Sequence, residues 1–458
     1  MNIRLILLCI LVSSQLKGIA QDIHRTACDG NLARLDSMLQ YEDLHVPDDQ
    51  GRTLLHWAVG CDQMEVFDDL IKRGIQINKA DKEGYTPLYV ALQFKRDSLL
   101  EKLLMLLEGE AWKSQQGALL LERAILDRNL PYVQMLIENG VDIEIINNRG
   151  STPLEISKRI GAQEISKWLI AKGADESKVR SFRMKGEYMG LTVPGPERKI
   201  YAPNFISTEA HEFGSVFSDD GQEFYYAVEK DNGPVIRYSA LIDGEWSQPE
   251  TILSHEKYGY NDPFLSPDES RLYFISKRTL DGMDAKGDHD IWYVEKKEEG
   301  WSEPINAGSN INSDDNEYYI SFTATGTMYF ASNVNAPEER KRYDQDIYYS
   351  AYKNGEFQEA VRLGDSINTE NYEADVFIAP DESYLIFCST RPEGLGRGDL
   401  YISFRKADHS WTRAVNMGET VNTEHHELCP FVTADGKYIL YTSNQDIYWI
   451  STEIIDQL

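Results

Sequence analysis

Cysteine is scarce in this chain, with five residues in 458, and one of them, Cys9, sits inside an apolar N-terminal run. The other four, Cys28, Cys61, Cys388 and Cys429, are too few to scaffold a chain of this size, which excludes the disulfide-rich class. Cys28 and Cys61 stand at equivalent points of neighbouring sequence repeats. Stacked helices lie about 8–10 Å apart, beyond a disulfide's Cα reach, so both are expected to be buried free thiols. Positive charge is short as well: 46 Lys and Arg face 75 Asp and Glu, for a formal net charge of −29. That balance repels phosphate backbones and anionic lipid, disfavours nucleic acid, and favours cationic partners or divalent ions. The acidic residues are scattered, as on a solvated surface. Beyond the first residues no apolar run is long enough to cross a bilayer, so no stable membrane insertion is expected. No GxSxG elbow, HExxH helix or phosphate loop occurs, and a non-catalytic protein is the expectation.

The N-terminal stretch MNIRLILLCILVSSQLKGIAQ has a basic Arg4, a short apolar core from Leu5 to Val12 and a small-residue site at Gly18-Ile19-Ala20. Residues 1–20 therefore read as a signal peptide cut after Ala20, and the protein as exported, periplasmic or secreted. Leu8 before Cys9 makes a poor lipobox.

Two internal periods follow. Gly51, Gly84, Gly117 and Gly150 recur every 33 residues and open GRTLLHWAV, GYTPLYVAL, GALLLERAI and GSTPLEISK. Thr53, Thr86 and Thr152 suit a helix cap, and Pro87 and Pro153 suit the first helical turn, where the missing N–H costs nothing. Gly74, Gly140 and Gly173 fall just past a second helix, where the left-handed conformation favours glycine. Val66, Leu70 and Ile71, like Val133, Leu136 and Ile137, recur at helical spacing and would face the next repeat. These segments resemble the ankyrin repeat, with about five copies over residues 22–175, Leu54 in place of Pro, and neither Thr nor Pro in the third copy. Residues 176–195, SKVRSFRMKGEYMGLTVPG at their heart, read as a linker leading into a second domain.

Five segments then pair an alternating strand, a turn and an aromatic strand: FGSVFSDDGQEFYYAV, NDPFLSPDESRLYFIS, YYISFTATGTMYFAS, ADVFIAPDESYLIFCS and LCPFVTADGKYILYTS. Third strands follow from Val235, Asp290, Asp346, Asp399 and Asp446, and four copies add a fourth. Four antiparallel strands every 48 to 57 residues are propeller blades. The last copy lacks its outer strand, and ERKIYAPNFIST supplies it from before the first, so residues 196–458 are expected to form a five-bladed β-propeller closed by its first strand. The fold class is thus multidomain, an all-α solenoid followed by an all-β propeller. The SPDE, APDE and TADG turns resemble the WD-like Pro-Asp repeat of TolB-type propellers. That resemblance implies an exported bacterial protein, although the six blades and α/β domain of TolB are not evident.

Alignment on the turns places Glu212, Tyr260, Glu317, Glu373 and Glu427 at one position near the channel mouth, with His211 and His426 directly before Glu212 and Glu427, and Asp262 and Asp375 two residues farther along. Like charges held close raise one another's pKa, and a divalent cation would relieve them. Glu212, Glu317, Glu373, Glu427, His211 and His426 are therefore candidate metal ligands, for calcium through oxygen alone or zinc if the histidines take part. Against this, the same carboxylates could accept hydrogen bonds from backbone or hydroxyl groups of the adjacent blade as repeat architecture. Arg397-Gly398-Asp399 spells an adhesion tripeptide, but Asp399 is the fourth-blade copy of Asp290, Asp346 and Asp446. DGMDAKGDHD resembles a calcium loop in composition only. Trp246, Trp301, Trp411 and Phe357 are expected to pack between blades.

The functional expectation is a non-catalytic scaffold that offers a protein or peptide partner its ankyrin surface and its propeller face. The alternative is a glycan-acting or glycan-binding propeller, glycoside hydrolase-like, with the ankyrin segment as docking arm. It requires two carboxylates that depart from the repeat and face an open pocket.

Overall fold

The computed structural model describes residues 20–107, 116–179, 183–230, 232–298, 300–337 and 344–458. The chain divides into two units, residues 1–181 and 182–458, each described by itself. The expected signal peptide lies outside the described residues except for Ala20.

In the first unit, described helices come in pairs: Ala20–Cys28 with Leu32–Met38, Leu54–Gly60 with Met64–Lys72, Pro87–Gln93 with Asp97–Leu106, Gly117–Leu126 with Leu130–Glu138, and Pro153–Arg159 with Gln163–Ala171. The predicted caps are in place. Thr86 accepts from the N–H of Tyr89, and Thr152 forms a reciprocal capping box with Glu155. His56 does the same work for Thr53: its Nδ1 accepts from the Thr53 N–H, and its Nε2 lies 3.1 Å from the carbonyl of Tyr85 in the next repeat. Burial holds this imidazole neutral, with its pKa down to about 4. The third copy, lacking Thr and Pro, starts its helix at Gly117 itself, three residues earlier in the repeat than the helices at Leu54, Pro87 and Pro153. Val66, Leu70, Val133 and Leu136 are buried in one continuous core with Leu54, Leu88, Leu121 and Leu154.

The expectation of free thiols at Cys28 and Cys61 is wrong. The two form a disulfide with a Cα–Cα distance of 5.2 Å across a sequence separation of 33 residues. The axis spacing of stacked helices does not bound the distance between their facing ends. Cys28 is the last residue of one helix and Cys61 the C-cap of its counterpart, so their Cα atoms approach closer than the axes. Cys388 and Cys429 are free and buried.

The second unit is a five-bladed propeller. Blades one to four are sheets opening with the inner strands Glu212–Phe217, Asn261–Leu265, Glu317–Phe322 and Glu373–Ile378. In the fifth, Leu428–Val432, Tyr438–Ser443 and Asp446–Ser451 are joined by Lys199–Ile200, which pairs antiparallel through Lys199↔Trp449 and Ile200↔Tyr448. The first strand therefore closes the last blade by pairing along the edge of Asp446–Ser451. Part of the stretch read as linker belongs to this unit: Met189 is 2% exposed within the propeller core.

Each first turn needs a residue with positive φ. Gly221, Gly326 and Gly436 supply it in three blades, and Glu269 and Glu382 adopt it in the two that carry SPDE and APDE. Both glutamates use the strained position to reach a neighbouring blade, Glu269 accepting from the Asp219 N–H and Glu382 from the Tyr329 hydroxyl. The interblade aromatics pack as expected, Trp301 against Tyr225 and Phe357 against Tyr273, while Trp246 and Trp411 are 4% and 6% exposed.

Candidate functional site

Each aligned glutamate is buried, and each closes a latch within its own blade. Four residues upstream a hydroxyl residue donates twice: Thr208 to Glu212 through N (3.1 Å) and Oγ1 (2.5 Å), Ser313 to Glu317 (3.0 and 2.7 Å), Thr369 to Glu373 (2.8 and 2.8 Å) and Thr423 to Glu427 (3.0 and 2.6 Å). The end of the second strand adds Ser332 to Glu317, Ser389 to Glu373 and Ser443 to Glu427. Arg391 adds an ion pair to Glu373 at 3.3 Å. Burial nonetheless lifts the Glu317 carboxyl to about 7. Tyr260, at the fifth aligned position, is 4% exposed and packs edge-on against Tyr258 and Phe274.

The candidate ligands are thus engaged one blade at a time rather than brought together. His211 packs its ring against Phe213 at 5.1 Å, and His426 places Nε2 3.2 Å from the Cys388 thiol. Burial lowers both imidazoles to about 4, which keeps them neutral. Among the described residues, no group of three or more His, Cys, Asp or Glu side chains is arranged to hold a metal ion.

A different set does converge, two residues beyond the glutamates. There the five blades carry Gly214, Asp262, Tyr319, Asp375 and Cys429, all with φ between 41° and 56°. In four blades the pairing register of the inner strand slips across this residue, and in the third it slips at Tyr319 itself, so a β-bulge turns each one off the ladder. Cys429 Sγ lies 3.5 Å from Asp262 Oδ1 and 3.9 Å from Asp375 Oδ1. Tyr319 sends its hydroxyl to the Pro430 carbonyl at 2.8 Å. At Gly214 a Cβ would stand 2.8 Å from Asp262 Oδ1 and 2.9 Å from its Cα, so the bulge in blade one admits only glycine. Burial lifts Asp262 to about 6. Burial, followed by the charge of Asp262, lifts Asp375 to about 8, and burial pushes the Cys429 thiol well up. At neutral pH the pair therefore holds about one proton between its two carboxyls.

Asp262 and Asp375 depart from the repeat as a catalytic pair should. Their nearer oxygens are at most about 7.4 Å apart, the sum of the two sulfur distances. Glycosidase pairs stand about 5 to 9.5 Å apart. They are only 6% and 8% exposed, however, and the Cys429 thiol touches both, so a sugar could pass between them only by displacing it. This ring plugs the channel. The convergence had one sequence signal, the series Gly, Asp, Tyr, Asp, Cys at a position otherwise fixed by the repeat.

The Arg397-Gly398-Asp399 tripeptide is structural: Asp399 is 1% exposed and accepts from the Leu395 and Gly396 N–H groups and Asn416. In DGMDAKGDHD, Lys286 pairs with Asp288 and Asp290.

The helical unit presents a regular surface. Its turns Asp48–Gly51, Asp81–Gly84 and Asn147–Gly150 share one construction, the side-chain oxygen of the first residue accepting from the N–H groups two and four residues on. Adjacent turns are tied by the Lys82 N–H to the Gln50 carbonyl at 3.0 Å. Gln50, Lys82 and Ile146 are exposed on or beside them, Ile146 by 62%.

Residues 23–115 match the family profile described as "Ankyrin repeats (3 copies)". Putative ankyrin repeat protein FPV223 of Fowlpox virus is 32% identical over 124 residues, 27% of this chain and 85% of that protein. Putative ankyrin repeat protein FPV024 of the same virus is 32% identical over 123 residues, 26% of this chain and 21% of the relative. Human Neurogenic locus notch homolog protein 1 is 32% identical over 113 residues, 24% of this chain and 4% of the relative. The chain thus spans about a fifth or less of those two longer relatives.

Proposed function

Because the chain belongs to the ankyrin-repeat proteins, we propose that it is an exported, non-catalytic scaffold that binds a protein or peptide through its helical repeats and carries a propeller as its second unit. The observation that carries this reading is the repeated turn surface, in which identical hydrogen-bonded turns hold exposed side chains in a fixed row. Such a row offers extended contact at low ordering cost. The closed Asp262–Cys429–Asp375 plug supports a non-catalytic propeller.

Export draws support from two independent features, the signal-like leader and the Cys28–Cys61 disulfide, since disulfides persist in oxidising compartments. The SPDE, APDE and TADG turns support a TolB-type propeller, a kind found in exported bacterial proteins. The test is to express the full chain with its leader, separate the cell fractions, and determine the N-terminus and thiol state. Export predicts a mature chain starting at Gln21 with Cys28 and Cys61 linked. An intact leader on cytosolic, reduced protein would overturn it.

A further inference from the structure

The grooves between successive blades repeat one construction, and its variation is informative. Between blades one and two, the Glu223 carboxylate accepts from the hydroxyls of Tyr225 (2.9 Å) and Tyr238 (3.1 Å) and pairs with Lys296 (3.2 Å) beside Trp301. Between blades three and four, Glu382 accepts from the Tyr329 hydroxyl (3.2 Å) and faces Arg405 (4.0 Å), whose guanidinium lies over Trp411. Each groove thus joins a tyrosine, a cation, an aromatic and a carboxylate from the protein.

Between blades two and three, the strand position of Glu223 is taken by Arg271 and that of Lys296 by Tyr352. The cation and the aromatics remain: Arg271 lies 4.5 Å over Tyr293, and Phe357 packs against Tyr273 and Tyr352. The carboxylate that would join them is not supplied in the same way. Glu295, from the third strand of blade two, is shared between two cations, its Oε1 3.4 Å from Arg271 and its Oε2 3.0 Å from Lys297, and it accepts from none of the groove's tyrosyl hydroxyls. Among the described residues, the hydroxyls of Tyr293, Tyr352 and Ser309 donate to no protein group. All three line a cleft of about 320 Å³ with Arg271, Glu356 and Phe357.

We infer that this cleft is a binding site for a carboxylate-bearing sugar, a uronic acid unit. Its carboxylate engages Arg271 and the tyrosyl hydroxyls as Glu223 and Glu382 engage their neighbours in the sister grooves. The volume lies at the small-ligand end of protein pockets. Tyr352 and Phe357 offer faces for the sugar ring, while Ser309 and Glu356 can bond its hydroxyls. The net charge of −29 disfavours a polyanion and leaves a single acidic residue as the fitting ligand.

The test is calorimetric titration of residues 21–458 with galacturonate, galactose and acetate, on the unaltered protein and on Arg271→Met, Tyr352→Ala and, as a control in the sister groove, Glu223→Gln. Thermal unfolding checks that each variant is folded. A charge-assisted contact predicts galacturonate bound at least about tenfold more tightly than galactose. Arg271→Met should erase that preference, Tyr352→Ala should weaken binding, and Glu223→Gln should leave it unchanged. Should Arg271→Met fail to fold, the exposed Tyr352→Ala carries the test. The inference is overturned if galacturonate does not bind or binds no better than galactose, or if acetate matches it. An acidic peptide displacing it, or binding that survives the substitutions in folded protein, would also overturn it.

Discussion

Replacing Asp375 with Asn tests the channel plug through its proton. In the folded protein Asp375 titrates at about 8 instead of the ordinary 3.8, because it is buried beside Asp262. A carboxyl whose folded pKa is raised stabilises most when protonated in both states, and that advantage is lost as pH rises towards the folded value. The slope is about 1.4 kcal/mol per pH unit and ends near pH 8. Below pH 6.5 the buried His211, His289 and His426, each lowered to about 4, give an opposing slope, so the useful window is pH 6.5–8, where Glu317, lifted to about 7, adds a slope that parent and variant share. Across it Asp375 accounts for about 2 kcal/mol, worth roughly 4–8 °C of melting temperature for a unit of this size. Asn mimics the protonated acid and still accepts from the Cys429 thiol. The variant should therefore lose this slope and be the more stable protein at pH 8, as read by urea unfolding followed by tryptophan fluorescence. Parallel pH profiles for variant and parent would refute the shared-proton account.

Further outcomes follow from the same geometry. Gly214→Ala places a Cβ against the Asp262 backbone at positive φ and should cost about 2 kcal/mol or more, measured by the propeller's denaturation midpoint. Ser443→Ala removes one donor from the buried Glu427 and should cost about 1–3 kcal/mol by the same assay. Reducing Cys28–Cys61, which closes a loop of 33 residues, should cost the helical unit about 3–4 kcal/mol, visible as an earlier loss of far-ultraviolet helical signal. Added Ca²⁺ or Zn²⁺ should leave the propeller's melting temperature within about 1 °C, because the glutamate oxygens are already bonded within their blades.

Periodic features were legible in the sequence because they are local. Glycines at 33-residue spacing located the helical turns, and the missing outer strand of the fifth blade located its replacement at Lys199–Ile200. The alignment also brought Glu212, Glu317, Glu373 and Glu427 to one position, but not to the right neighbours. Their partners are hydroxyl residues four positions upstream, a pattern present in each of the four blades that carry the glutamate, as Thr208, Ser313, Thr369 and Thr423. Cys28–Cys61 was missed because helix spacing was taken as an axis distance, whereas the bond joins helix ends. Cys429 between Asp262 and Asp375 was illegible for another reason. Residues from three blades meet there only once the ring is closed and the bulges turn them inward.

The central claim, recognition of a protein partner by the row of repeat turns, is tested most directly by quantitative capture from the exported fraction of the native host. The bait is residues 21–458, compared with a Gln50→Arg/Ile146→Glu variant and with the Arg271→Met variant. The account predicts one stoichiometric partner retained by the parent chain and by Arg271→Met but lost from the turn variant, whose melting temperature is unchanged. Equal retention by all three, or loss only with Arg271→Met, would contradict it.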